Sequence, residues 1–387
     1  MSVTAAPGFV AAGVHAGIRR SGADLALVRS TIPAVGAAVW TTNRILAAPV
    51  VVSKRHLELA EPQAVVVNAG VANAATGAAG IAGAERTAAE AASVTGLEPE
   101  QVIVLSTGVI GVPLPLEKVL AGVRAAATML TASGGDLAAS AILTTDRWPK
   151  QAQARGDGFV VGGMAKGAGM IHPRLATMLA VLTTDYPLET GEPAAFLRSA
   201  VDGSFNRISV DGECSTNDAV VLLANGASGV GRTTTRDAEF AAALSSVCAA
   251  LAREIVADGE GATVLLEIEV SGAASDGEAE AVARRLATSP LVKTAAFGRD
   301  PNWGRVLAAA GSAPWNSGFA AVDADRLTVS YDGTPVFVRG EPTGANPELT
   351  GSAVAIELDL GLGTGSASYL ASDLTVDYVR LNAEYTT

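Results

Sequence analysis

The chain has 387 residues, 49% of them hydrophobic and 17% charged, with a formal net charge of −12 and a pI near 4.8. So acidic a surface repels phosphate backbones and excludes nucleic acid as a partner class, while the apolar content excludes a disordered chain. Two cysteines cannot form a disulfide framework, and three histidines nearly exclude a histidine-rich zinc site, so no metal is expected.

In chain order, Pro7 and Gly8 interrupt the place where a signal peptide needs an unbroken apolar core, and Arg19-Arg20 follows too late. The most apolar stretch, 64–84, is broken by Asn68, Asn73, Thr76 and several glycines, which argues against a membrane span. The expectation is a soluble, cytoplasmic protein. The pattern predicts a strand at 64–67, a helix at 83–94 and a strand at 101–105. Directly after that strand comes Ser106-Thr107-Gly108. A hydroxyl beside an unobstructed glycine N–H suits a developing oxyanion, although a tight strand-exit turn reads the same way.

Pro113 and Pro115 mark the start of a helix at 116–130, followed by a polar run at 143–150 that includes Thr144. Strands at 159–164 and 178–182 then bracket Lys166-Gly167-Ala168-Gly169-Met170-Ile171-His172-Pro173-Arg174-Leu175-Ala176-Thr177. A Gly/Pro hairpin turn explains that spacing. So does a reactive loop on a rigid sheet, in which Ala176-Thr177 has the form of a self-cut step that frees a threonine nucleophile. Lys166 is followed by Gly167-Ala168, not by a helix-opening Ser/Thr, so a phosphate-binding loop fits poorly.

Helices are predicted at 193–205, 237–256 and 277–288, strands at 219–223 and 263–270, and a hairpin at 327–331/335–338 around Asp332-Gly333. Asp211, Glu213 and Asp218 match no calcium-loop spacing and read as polar turn residues. Cys248 lies on an apolar helical stripe and reads as core. Cys214 lacks a neighbouring histidine to activate it. The segment 339–351 reads as a loop, and the tail from Tyr378 carries little meaning alone. Grouped helices and the absence of Gly-x-Gly-x-x-Gly favour a layered α+β fold over a doubly wound one.

Several ordered segments together resemble the ornithine acetyltransferase (glutamate N-acetyltransferase) family of arginine biosynthesis. They are Met164 to Met170 with Leu175 to Leu179, Gly212 to Asp218, Leu291 to Ala295, and Asp300-Pro301-Asn302-Trp303-Gly304-Arg305-Val306. Asn68 to Ala74 and Leu381-Asn382 match more weakly. The resemblance implies an αββα sandwich, with two central β layers flanked by helices. It implies autocleavage between Ala176 and Thr177, giving an α chain of 1–176 and a β chain of 177–387. It also implies Thr177 as nucleophile, Thr107 and Gly108 as oxyanion hole, and Thr144, Lys166, Glu260, Asn382 and Thr387 lining the substrate pocket. Arg147-Trp148, Ile171-His172 and Val71 depart from the family pattern.

The implied reaction moves an acetyl group from N2-acetylornithine to glutamate through an acetyl-Thr177 ester. No cofactor is implied, and acetyl-CoA stays open as a second acetyl donor. The implied partners are these small molecules and the two fragments of the chain, associating as α2β2 or larger. A self-processing, aminopeptidase-like hydrolase and a non-enzymatic amino-acid-binding protein are the alternatives.

Overall fold

A computed structural model describes residues 3–172 and 178–384. Strands β1 (Phe9–Val14) and β2 (Leu25–Ser30) form an antiparallel pair, and β3 (Val35–Trp40) leaves them for a second sheet. Helix α1 (Ala48–Leu59) leads to β4 (Ala64–Val71), and α2 (Gly77–Thr95) crosses over to the parallel strand β5 (Val102–Val109). The first sheet therefore has the order β1-β2-β4-β5.

Its strands are apolar on both faces, and the period-2 alternation assigns each face a partner. Leu25, Leu27, Val66 and Val104 pack outward against α2 and α3 (Leu116–Thr128). Val28, Val65, Val67 and Leu105 pack inward against Met164, Val181, Val221 and Leu223 of the second sheet. A short helix, α4 (Gly135–Ala141), closes one edge of this core through Ala138 and Ala141.

The second sheet has the order β3-β10-β8-β7-β6, built from β6 (Lys150–Gly156), β7 (Phe159–Lys166), β8 (Leu179–Thr184) and β10 (Ala219–Ala224). Its outer face, with Leu182 and Leu222, is covered by α5 (Pro193–Asp202) and α6 (Thr234–Ala257). The layer order is helix, sheet, sheet, helix, as the resemblance implied. Cys248 sits in that outer core, where burial pushes its thiol up to about 12, an inert packing residue. Helix α6 has the length and apolarity to cross a membrane, yet half of its most apolar window is buried.

The short strand β9 (Ile208–Ser209) belongs to a third sheet, with β11 (Leu265–Ala273), β14 (Thr328–Tyr331), β15 (Thr334–Val338), β16 (Glu341–Pro342), β17 (Ala353–Asp359) and β18 (Gly365–Ser372). Helices α7 (Asp276–Ala287), α8 (Pro290–Phe297) and α9 (Trp303–Ala310) cover one face of it, over Ile268, Val354 and Ala371. A small ribbon of β12 (Pro314–Trp315) and β13 (Gly318–Phe319) packs beside α7. The predicted hairpin is β14–β15, with Asp332 in the left-handed turn conformation. The tail forms α10 (Val376–Glu384), which returns to the sandwich.

Candidate active site

Strand β5 ends where its backbone meets the end of β4, with Gly108 opposite Gly70. Gly108 has φ +127°, and an added Cβ would stand 2.2 Å from the Gly70 carbonyl carbon. Only glycine fits there. Thr107 is buried beside it, and its hydroxyl has no hydrogen-bond partner among the described residues. Asn217 fixes this corner: its amide donates to Ser106 O (2.8 Å) and Ala72 O (2.7 Å).

The end of β7 delivers Lys166, buried, with its ammonium 3.6 Å from Asp146. Asp146 is the hub beneath. It accepts from Lys150 Nζ (2.7 Å), Gly167 N–H (2.7 Å) and Thr144 N–H (3.0 Å). Burial by itself would raise this carboxyl, but Lys166 and Lys150 outweigh it and hold it well below the usual carboxylate range. Lys150 also reaches Asp258 (2.5 Å), which pairs with Arg147 Nε (2.8 Å). The polar run at 143–150 thus supplies Asp146 and Lys150 to an ion network buried beneath the site, and the half-exposed Arg147, one of the departures from the family pattern, joins it through Asp258.

From the far side, Glu260 accepts from Asn382 Nδ2 of α10 (2.9 Å). Gly169 makes room for it, because a Cβ there would fall 2.5 Å from the Glu260 carboxyl carbon. Asp211 completes this wall. Burial raises its carboxyl, opposed by the N–H groups of Glu213, Met170 and Ile171, and the charge of Glu260 raises it further.

These groups line one cleft of about 130 Å3. Thr107, Gly108, Thr144, Lys166, Glu260 and Asn382 all face it, though they come from positions spread over most of the chain. It is cationic at Lys166 and acidic at Asp211, Glu213 and Glu260. Such a cleft suits a small molecule carrying both a carboxylate and an amine. Ala176, Thr177 and Thr387 lie outside the described residues, as do Pro173, Arg174 and Leu175. The described chain resumes at Met178, whose N–H is held by the buried Asp218 (2.9 Å). His172 Nδ1 lies 3.4 Å from Ser209 Oγ, and Cys214 is half-buried, 3.8 Å from the Thr41 hydroxyl.

Asp146, Lys150, Asp258, Asn217 and Tyr378 were not picked out individually by sequence reasoning. Only the density of polar residues at 143–150 hinted at the first two.

The sequence model of the ArgJ family matches residues 10–387. The arginine biosynthesis bifunctional protein ArgJ of Streptomyces coelicolor is 48% identical over 390 residues, covering 100% of both chains. That of Symbiobacterium thermophilum is 47% identical over 400 residues, covering 100% of this chain and 98% of its own. Among solved structures, ornithine acetyltransferase from Mycobacterium tuberculosis, complexed with ornithine, is 45% identical with a TM-score of 0.43. That alignment covers 44% of this chain and 94% of the other.

Proposed function

The chain belongs to the ArgJ family, and on that premise we propose that it is a self-cleaving glutamate N-acetyltransferase of arginine biosynthesis, acting on N2-acetylornithine. The observation that carries the reading is one cleft in which Thr107, whose hydroxyl has no hydrogen-bond partner among the described residues, and Gly108 line the same cavity as a buried ammonium and a wall of carboxyl groups. A substrate amino acid is matched in charge at both ends, next to donors suited to an oxyanion.

In this mechanism the Thr177 hydroxyl attacks the Ala176 carbonyl, the acyl group shifts from nitrogen to oxygen, and water hydrolyses the ester. The freed α-amine, with an ordinary pKa of roughly 7.7–8.0, serves as base for its own hydroxyl. Thr177 then attacks the acetyl carbonyl of acetylornithine while Thr107 and Gly108 hold the oxyanion, and ornithine departs. Glutamate's amine takes the acetyl group from the ester. Lys166 and Glu260 orient the substrate's carboxylate and amine, with Thr144, Asn382 and Thr387 completing the pocket. No cofactor is required, and acetyl-CoA serves as a second donor to the same threonine. The enzyme works in the cytoplasm.

The cut falls between β7 and β8, neighbours in the second sheet. Their six register pairs, Val161↔Thr184 to Lys166↔Leu179, join the proposed 1–176 and 177–387 fragments, as does the β3–β10 pairing. The fragments therefore stay together as one αβ unit, the building block of an α2β2 or larger assembly.

The test is a steady-state assay offering acetylornithine and acetyl-CoA separately, each with and without glutamate. Glutamate-dependent release of ornithine with ping-pong kinetics is expected. Equal ornithine release without glutamate would identify a hydrolase instead.

A further inference from the structure

The charged residues of the cleft match a substrate's carboxylate and amine, but they offer nothing to its acyl chain. In the transfer the acyl group leaves ornithine's nitrogen and ends on glutamate's, while a proton passes from the second nitrogen to the first. The methyl group is chemically untouched throughout, and it needs an apolar wall.

The cleft holds few such surfaces. Hydroxyl, amide, ammonium and carboxyl groups make up most of its lining, and among the described residues its apolar members are Ala72, Ile110 and Met170, with the ring of Tyr378. These stand on two different walls. Met170 donates its N–H to Asp211 (2.6 Å) and the Tyr378 phenol bonds to the same carboxyl, so both belong to the acidic wall. Ala72 and Ile110 belong to the wall of Thr107 and Gly108. Ile110 follows Gly108 by two residues, and Ala72 comes directly after Val71, the register partner of Val109.

This corner is held firmly. Ala72 N–H donates to Val109 O (3.0 Å) and Gly111 N–H to Ala74 O (3.0 Å), so backbone bonds bracket Ile110 on both sides. Ala47, Val50, Ala72 and Ala74 form a small apolar cluster, and Ile110 packs against it. Ile110 is only half-buried there, and it also lines the cleft.

An acyl methyl is two bonds from the carbonyl oxygen. A group whose oxygen sits at Thr107 and Gly108 therefore has its methyl beside the same wall. We propose that Ile110, backed by Ala72, is the surface the acyl chain meets, and that it sets a preference for acetyl over longer acyl groups. The inference rests on the acetyl-transfer reading above, with Thr107 and Gly108 at the oxyanion. Each further methylene is driven into Ile110, whose bracketed backbone gives it no room to retreat.

The test compares N2-acetyl-, N2-propionyl- and N2-butyrylornithine as donors to glutamate, by kcat/KM for ornithine release. Wild type should lose about 10-fold or more with each added methylene. In Ile110→Ala the acetyl-to-butyryl ratio should fall by about 10-fold or more, because the space vacated admits the two extra carbons. Both donors are measured on one preparation, so the ratio is independent of any loss of folded enzyme. Met170→Ala, on the opposite wall, should leave the ratio within about threefold. An Ile110→Ala ratio within about threefold of wild type overturns the proposal, as does an equal shift in Met170→Ala. No ornithine release from acetylornithine by wild type would defeat the acetyl-transfer reading itself, and this wall's role with it.

Discussion

Thr107→Val separates catalysis from stability at the proposed oxyanion hole. The side chain is buried at the wall of the cleft, and its hydroxyl bonds to no described residue. Replacing that hydroxyl by a methyl group therefore leaves no partner unsatisfied among the described residues, and folding stability should change by less than about 1 kcal/mol. In the transition state the same hydroxyl faces new negative charge. Losing one such donor costs about 2.7–4 kcal/mol, which is roughly 100- to 1000-fold in kcat. KM should stay nearly constant, since the interaction is absent from the ground state. Initial rates of ornithine release measure the first effect and urea unfolding of the same preparation measures the second. The reasoning fails if the variant keeps its rate within about threefold, or if rate is lost only together with about 2 kcal/mol or more of stability.

Three further outcomes follow from the geometry. Lys150 is fully buried between Asp146 and Asp258, so Lys150→Met takes the shared cation from two buried carboxylates, leaving Asp146 to Lys166 and Asp258 to the half-exposed Arg147, and should cost about 3 kcal/mol, read as a large fall in Tm; a Tm within a degree or two of wild type would contradict this. Gly169→Ala places a methyl group against the Glu260 carboxyl, a movable side-chain end, so KM for acetylornithine should rise several-fold while Tm holds; an unchanged KM would remove Glu260 from the binding role. Burial brings Lys293 down to about 8, against the charges of Asp373 and Asp211, while an unfolded lysine titrates near 10.4. Between those values the unfolded chain binds a proton that the folded chain does not, so Lys293 makes stability rise with pH across that window. Urea titrations from about pH 8 to 10 should show that slope in wild type and its loss in Lys293→Met, and identical slopes would reject the assignment.

How much of this was legible in the sequence depended on side-chain character. The valine-rich strands β4 and β10 and the amphipathic helices α3 and α6 stood out, because bulky apolar residues mark their period clearly. Strands β1 and β3 were missed, since Phe9–Val14 and Val35–Trp40 are half alanine and glycine and their identity comes from sheet pairing. Helix α1 contains the run Val50-Val51-Val52, a strand-like signal overridden by packing of its Val50 and Val52 face. The third sheet was visible only in pieces: β17 was missed although it buries the alternate residues Val354, Ile356 and Leu358, and β18 was missed because it is mostly Gly, Ala and Ser. At the site, Thr107, Lys166, Glu260 and Asn382 were reached through resemblance, and the fold brings them to one cleft. The ion network through Asp146, Lys150 and Asp258 was not reached, because Asp258 lies over 100 residues from the other two and no local pattern joins it to them.

The most direct test is intact mass and N-terminal sequencing of purified wild type beside Thr177→Ala, followed by acetylornithine without glutamate. Wild type should run as two fragments, one beginning at Thr177 and gaining one acetyl group, while the variant stays whole and unacetylated. A wild-type chain that transfers acetyl groups at full rate while uncut would contradict the account.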